Sequence, residues 1–247
     1  MELLTNGIGL SAVVFFPLIS AFVITLIPKA QEQLIKRFAL ASSLITFVLS
    51  AILLFQFDFS SAEKLQLGNK ISWIKSINAN YEIGIDGISL PLLVLSTFIT
   101  VLAIIYSIEH LPEPKSPKGF LALILILETG MNGTFVALDL ILFFVFFEIV
   151  LLPMYFMIGI WGDKTVRTVS GFKNQIETRL YASIKFFVFT LFGSAFMLLG
   201  FLGLYYRGNK TFSIPELIEL GTSGAFTGTF ATLVFAVLFL GFAVKVP

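Results

Sequence analysis

Residues 143–162, FFVFFEIVLLPMYFMIGIWG, contain nineteen side chains at home in hydrocarbon and one that is not, Glu148. Twenty residues of α-helix cover about 30 Å, the thickness of a bilayer core. A run of this length and apolarity reads as a membrane span. A carboxylate near its middle costs about 2.5–3.5 kcal/mol on insertion-based scales. An acid kept at that depth needs a reason, and the rest of the chain limits what the reason can be.

The 247 residues are 57% hydrophobic and 13% charged, with 29 Phe. Soluble domains carry about 25% charge. The chain therefore reads as an all-α polytopic membrane protein with the lipid bilayer as its solvent. Seven spans are predicted, at 8–27, 36–56, 88–107, 119–138, 140–160, 180–206 and 228–247, with a turn near Asp139. The first run lacks a basic leader region and an A-x-A site, so it reads as a span and not as a cleaved signal peptide. Two regions are expected: 1–80, with two helices and a loop, and 81–247, with the remaining five. The loop 57–87, with Trp73, Ile74, Ile77, Tyr81 and Ile83, is expected to lie along the membrane interface.

Several chemistries are excluded for this chain. It has no Cys, hence no disulfide, thiolate cluster ligand or Cys nucleophile. Its one His, His110, cannot make a haem pair or a zinc site alone. There is no GxGxxG, P-loop or HExxH pattern. A net charge of +1 gives no field that favours nucleic acid. No metal or cofactor is expected in this chain, and any redox step linked to it must sit in a partner.

Nine basic residues fall on one side of the predicted spans: Lys29, Lys36, Arg37, Lys115, Lys118, Lys164, Arg167, Lys173 and Arg179. Five fall on the other: Lys64, Lys70, Lys75, Arg207 and Lys210. The positive-inside rule then predicts an N-terminus outside the cytoplasm. The two basic residues left within spans are Lys185 and Lys245, and two acids, Glu128 and Glu148, lie deep in spans four and five. Intramembrane ionisable groups are functional candidates by default. Pro153 leaves the carbonyl of Ile149 without its helical partner, beside Glu148, and Pro247 would do the same for Ala243, beside Lys245. An acid and a lysine next to loosened turns suggest a hydrated polar site in which two coupled groups load and release a proton. Each residue also has a structural reading. Lys245 and Lys185 could snorkel to the interface, Glu128 could cap a kink beside Gly130 and Gly133, and Glu148 could bond a neighbouring helix. Asp86 reads as an acid at a helix N-terminus, His110 as a solvated loop residue, and the Phe run 143–147 as lipid-facing or core packing and not a cofactor box.

FFEIVLLPMYFMIGIWG, RLYASIKFFVFTLFGSAFML and FLGFAVKVP, with IGIDGISLPLLVLSTF and LILETGMNGTFVALDLILFFVFFE, resemble the antiporter-like subunits of respiratory complex I. The M-chain, or subunit 4, type of bacterial NADH:quinone oxidoreductase is the nearest in pattern. The resemblance runs from about Tyr81 to Pro247. It implies the first half of a subunit of about fourteen helices built from inverted repeats. It assigns Glu148 and Lys245 to a proton-channel pair and places Lys185 on the proton path. It further implies partners of the L-, N- and K-type, with NADH, flavin, iron–sulfur clusters and quinone held in partner subunits, and a bacterial inner-membrane location. The superfamily also includes Mrp-type sodium/proton antiporters and membrane-bound hydrogenases. The chain ends on Lys-Val-Pro with no polar anchor, and the PxHxWLPDAH-like segment expected next is absent, so a fragment is expected. Residues 163–179 depart from the family's short GG-x-R linker.

Overall fold

The computed structural model describes residues 7–167 and 176–246. The apolar runs become helices: α1 (Ile8–Leu26), α2 (Glu32–Gln56), α3 (Ser89–Glu109), α4 (Pro117–Val136), α5 (Leu140–Ile149), α6 (Leu151–Trp161), α7 (Thr178–Arg207) and α9 (Gly228–Lys245). Counting α5 and α6 as one interrupted helix, seven helices of the described residues are long and apolar enough to cross a membrane. Their ends lie within a few residues of those predicted.

Helices α1 to α4 form one bundle, α4 carries the chain to α5 and α6, and α7 pairs with α9. Two apolar clusters fill the first bundle, one around Leu10, Val14 and Phe146 and one around Ile24, Ile35 and Leu125. A third, around Met197, Phe201 and Phe212, lies under α7. Glycine lets α4 and α5 approach closely. The side of Gly133 faces the ring of Phe146, and a Cβ on Gly130 would stand 3.1 Å from the Phe146 carbonyl oxygen.

The 57–87 loop is more ordered than the interfacial loop expected from its sequence. Strands β1 (Gln66–Ile74) and β2 (Ala79–Ile85) pair antiparallel, with two register shifts along the ladder. The hairpin covers the end of the bundle: Ile83 and Ile85 are buried against it, and Ala79 in the cluster under α7. A short helix, α8 (Ile214–Thr222), also absent from the expected spans, lies between α7 and α9. The hairpin, α8 and the extended residues between α4 and α5 meet at this end. Leu138 N–H donates to the Glu82 carbonyl at 2.8 Å, Leu140 N–H to that of Phe212 at 2.9 Å, and Ile214 N–H to that of Leu138 at 2.7 Å. The loops after α1, α3 and α6 lie at the opposite end, so the two groups of basic residues separate as expected, with Lys173 outside the described residues. Within the irregular 163–179 linker, β3 (Val166–Arg167) pairs with β4 (Ile176–Glu177).

Lys70 joins hairpin to α8. Its Nζ lies 3.2 Å from Glu82 across the ladder and 2.8 Å from Glu216. The hydrogen bonds from Lys70 and from the Thr211 hydroxyl hold the Glu216 carboxyl below its usual range. A carboxylate whose folded value is depressed stabilises fully above its unfolded value and loses that contribution as pH falls through the folded one. The hairpin–α8 contact is therefore expected to loosen on acidification below the ordinary carboxylate range. The effect is small because both side chains are substantially exposed. Amide hydrogen exchange of β1 and β2 against pH checks this, and Lys70→Met should flatten the dependence; identical profiles would reject the linkage.

Smaller expectations are met locally. Asp86 precedes α3 and accepts from Ile88 N–H at 3.0 Å and Ser89 N–H at 2.7 Å. His110 caps the end of that helix, exposed and stacked on Tyr106.

Candidate functional site

The helix carrying Glu148 does not run through. α5 ends at Ile149, Val150 serves as the junction, and α6 begins at Leu151. Pro153 accounts for the break, since its ring has no N–H to give and crowds the carbonyl four residues back. The last carbonyls of α5 are then without helical donors. The sequence pointed to Ile149 as the freed acceptor. In the structure the lysine goes to Phe147, two residues earlier, because the ladder already ends ahead of the proline.

Lys245 reaches this turn because α9 packs closely along α7. A Cβ on Gly193 would meet Val244 at 2.7 Å, and one on Gly241 would meet Met197 at 2.6 Å. Small residues let helix backbones approach closely in membranes. Gly203 lies beside Phe230 near the start of α9, and Gly193 beside Val244 near its end. The last turn of α9 therefore lies about fifteen residues, roughly 22 Å, from the first residue of α7. Lys245 thus lies about midway along α7, turned to the α5–α6 junction. Pro247, and with it the expected freeing of the Ala243 carbonyl, lies outside the described residues.

Glu148 and Lys245, 97 residues apart in sequence, are in contact. Lys245 Nζ lies 3.2 Å from Glu148 Oε1, donates to the Phe147 carbonyl at 2.6 Å, and sits 3.4 Å from the centroid of the Phe147 ring. The ammonium thus has a carboxylate, a carbonyl dipole and the negative face of an aromatic ring around it. The two side chains are 16% and 19% exposed, so the pair is neither sealed nor freely solvated. It opens on a cavity of about 360 Å³ between α3, α4 and the α5–α6 junction. The cavity wall is mostly apolar, from Leu92, Leu95, Ile99 and Phe135, with Ser96, Thr134 and Lys245 supplying polar atoms.

The other two intramembrane residues are not brought into this contact. Lys185 is exposed, 5.5 Å from the Tyr181 ring, and eight residues before Gly193. That places it about 12 Å further along α7 from the level of Lys245. Glu128 is fully buried in α4, and neither carboxyl oxygen has a hydrogen-bond partner among the described residues. The Phe run 143–147 does pack, Phe143 and Phe147 against Phe242. Sequence reasoning gave Phe147 packing alone and missed its second role, as carbonyl and ring for the lysine. A carbonyl one turn ahead of the Pro153 break was the available signal. Among the described residues no cluster of His, Cys, Asp and Glu could hold a metal ion.

Two family models cover nearly the whole chain. Residues 13–134 match the model described as NADH-ubiquinone oxidoreductase chain 4, amino terminus, and residues 137–247 match NADH:quinone oxidoreductase/Mrp antiporter, TM. The chain is 35% identical to NAD(P)H-quinone oxidoreductase chain 4 of Gloeobacter violaceus, over 96% of its own length and 41% of the relative's. It is 34% identical to NADH-quinone oxidoreductase subunit M of Rickettsia bellii, over 96% and 45%. It therefore spans somewhat under half the length of these relatives. Among solved structures, a chain of respiratory complex I from Thermus thermophilus superposes with a TM-score of 0.75 at 24% identity, covering 96% of this chain and 44% of that one. At that identity the likeness is one of fold.

Proposed function

The chain belongs to the NADH-quinone oxidoreductase subunit M/chain 4 family, and from that premise we propose that it is part of a proton-translocating membrane-arm subunit. In this reading, quinone reduction elsewhere in the complex drives proton movement through the Glu148–Lys245 pair. The observation that carries it is the 3.2 Å contact between an acid and a lysine at mid-depth, at a broken helix and beside a cavity. When the pair is closed, each charge favours the other. When it opens, the lysine loses its counter-charge and a proton can pass on through the cavity and toward Lys185. The Phe147 carbonyl and ring hold the ammonium beside Glu148 while the pair is closed. NADH, flavin, iron–sulfur clusters and quinone belong to partner subunits, and the neighbours are L-, N- and K-type chains. The location is a bacterial inner membrane, with the N-terminus outside the cytoplasm and the loops after α1, α3 and α6 inside.

The matched model also covers Mrp antiporters, so sodium/proton exchange is the second reading, with a membrane-bound hydrogenase beside it. The test is to tag the native full-length protein, extract it in mild detergent and assay NADH:quinone oxidoreduction. Copurifying activity is expected. Sodium-dependent exchange without that activity, or a copurifying nickel–iron protein, would move the pair to one of the other two machines.

A further inference from the structure

Glu128 takes no part in the pair, yet its setting is specific. The buried faces of α1, α2 and α3 carry no ionisable group, and their polar residues are Ser and Thr. Glu128 is the single ionisable side chain in that interior among the described residues. Helix register gives its surroundings. Ser50 of α2 bonds Thr97 of α3 at 2.7 Å, and Ser96 of α3 donates to Asn132 Oδ1 of α4 at 3.2 Å. One turn from these contacts, in antiparallel helices, Thr46, Thr100 and Glu128 share a level. Thr46 and Thr100 donate to carbonyls of their own helices, so their free lone pairs are what they offer the interior. A further turn along α2 is Ser42, whose buried Oγ also lacks a partner. Among the described residues no cation and no hydrogen-bond partner reaches Glu128, and an unpaired charge there is costly. A carboxyl that carries its own proton is the form that avoids that cost.

Toward the pair, the same face continues through Asn132, about 6 Å along α4. Asn132 is fixed by donating to the Val13 carbonyl at 3.3 Å and by the bond from Ser96. Ser96 also lines the cavity that holds Lys245.

We propose that Glu128 is a second proton-holding site, on a polar branch that runs past Asn132 and Ser96 into the cavity of the Glu148–Lys245 pair. Its destination rests on the proton-path reading of that pair; the protonated carboxyl does not. The branch holds a proton within the α1–α4 interior and exchanges it with the cavity by way of the Ser96 hydroxyl, with water bridging the step from Glu128 to Asn132.

The experiment is infrared spectroscopy of the full-length protein in its native complex, moved from H2O to D2O. A carboxylic-acid carbonyl band is expected that Glu128→Gln lacks, Glu128→Asp restores and D2O shifts. Ser96→Ala should keep the band and slow its shift several-fold. Identical wild-type and Glu128→Gln spectra would overturn the site, and a band immune to D2O would overturn the branch. If Glu128→Gln does not assemble, the Glu128→Asp and Ser96→Ala spectra still decide. Should Glu148→Gln leave transport intact while the Glu128 band behaves as expected, the pair's assigned role fails and the second site stands.

Discussion

Glu148→Gln is expected to lower NADH-driven proton translocation by at least about tenfold, equivalent to about 1.4 kcal/mol of barrier, while the complex still assembles. Glutamine keeps the size and an acceptor oxygen at the position 3.2 Å from Lys245, so packing at the α5–α6 junction changes little. What disappears is the charge that alternately holds and frees the lysine. The ammonium loses its counter-charge but keeps the Phe147 carbonyl and ring as partners, and the half-open setting of the pair limits the cost to assembly. Proton uptake by membrane vesicles, beside a native gel of the extracted complex, measures both halves of this. Wild-type pumping by a correctly assembled variant would sink the proton-path reading.

Asp139→Ala is expected to act on stability instead, and strongly. Asp139 is fully buried. Its Oδ1 accepts from Ile141 N–H at 2.9 Å and Leu142 N–H at 3.2 Å as the N-cap of α5, and its Oδ2 accepts from Asn80 N–H of the hairpin at 2.9 Å. Loss of an N-cap side chain costs about 0.5–2 kcal/mol, and buried donors left without acceptors cost about 1–3 kcal/mol more. A loss of about 3 kcal/mol should lower the unfolding temperature and the yield of assembled protein. Asp139→Asn retains an acceptor for the cap and should lose less. Equal melting of wild type and Asp139→Ala would contradict the clamp role given to this side chain.

The spans were legible because hydrocarbon enforces a length, and each run of about twenty apolar residues meets it. The turn at Asp139 and the break after Glu148 were legible from a capping residue and a proline. The hairpin was not. Its ladder contains two register shifts, and Leu67 and Asn78 sit at positive φ, so no clean alternation marks the strands. α8 was hidden by its length, since nine residues are too few to register as a span. Glu148, Lys245, Lys185 and Glu128 stood out singly as charges in lipid. That two of them touch depended on the register of α9 against α7, which is fixed by Gly193 and Gly241 meeting Val244 and Met197. Such long-range register has no local signature. The same gap hid Asn132 and Ser96, which look like ordinary small polar residues until α3 and α4 are aligned.

The broken fifth span has a mechanical consequence. Its first half is anchored at one end, where Asp139 and its neighbours bond to β2 and to the strand-like residues before α8. At the other end it joins α6 through Val150, where the hydrogen-bond ladder lapses. Such a rod is a lever with its pivot at the anchor, and Glu148 rides nine residues out, about 13 Å along the arm. A tilt of about 15° swings that point by roughly 3.5 Å over such an arm. The swing is as large as the separation of the two charges. A displacement at the membrane surface can therefore open the pair without any helix unwinding, provided that the hairpin moves the pivot.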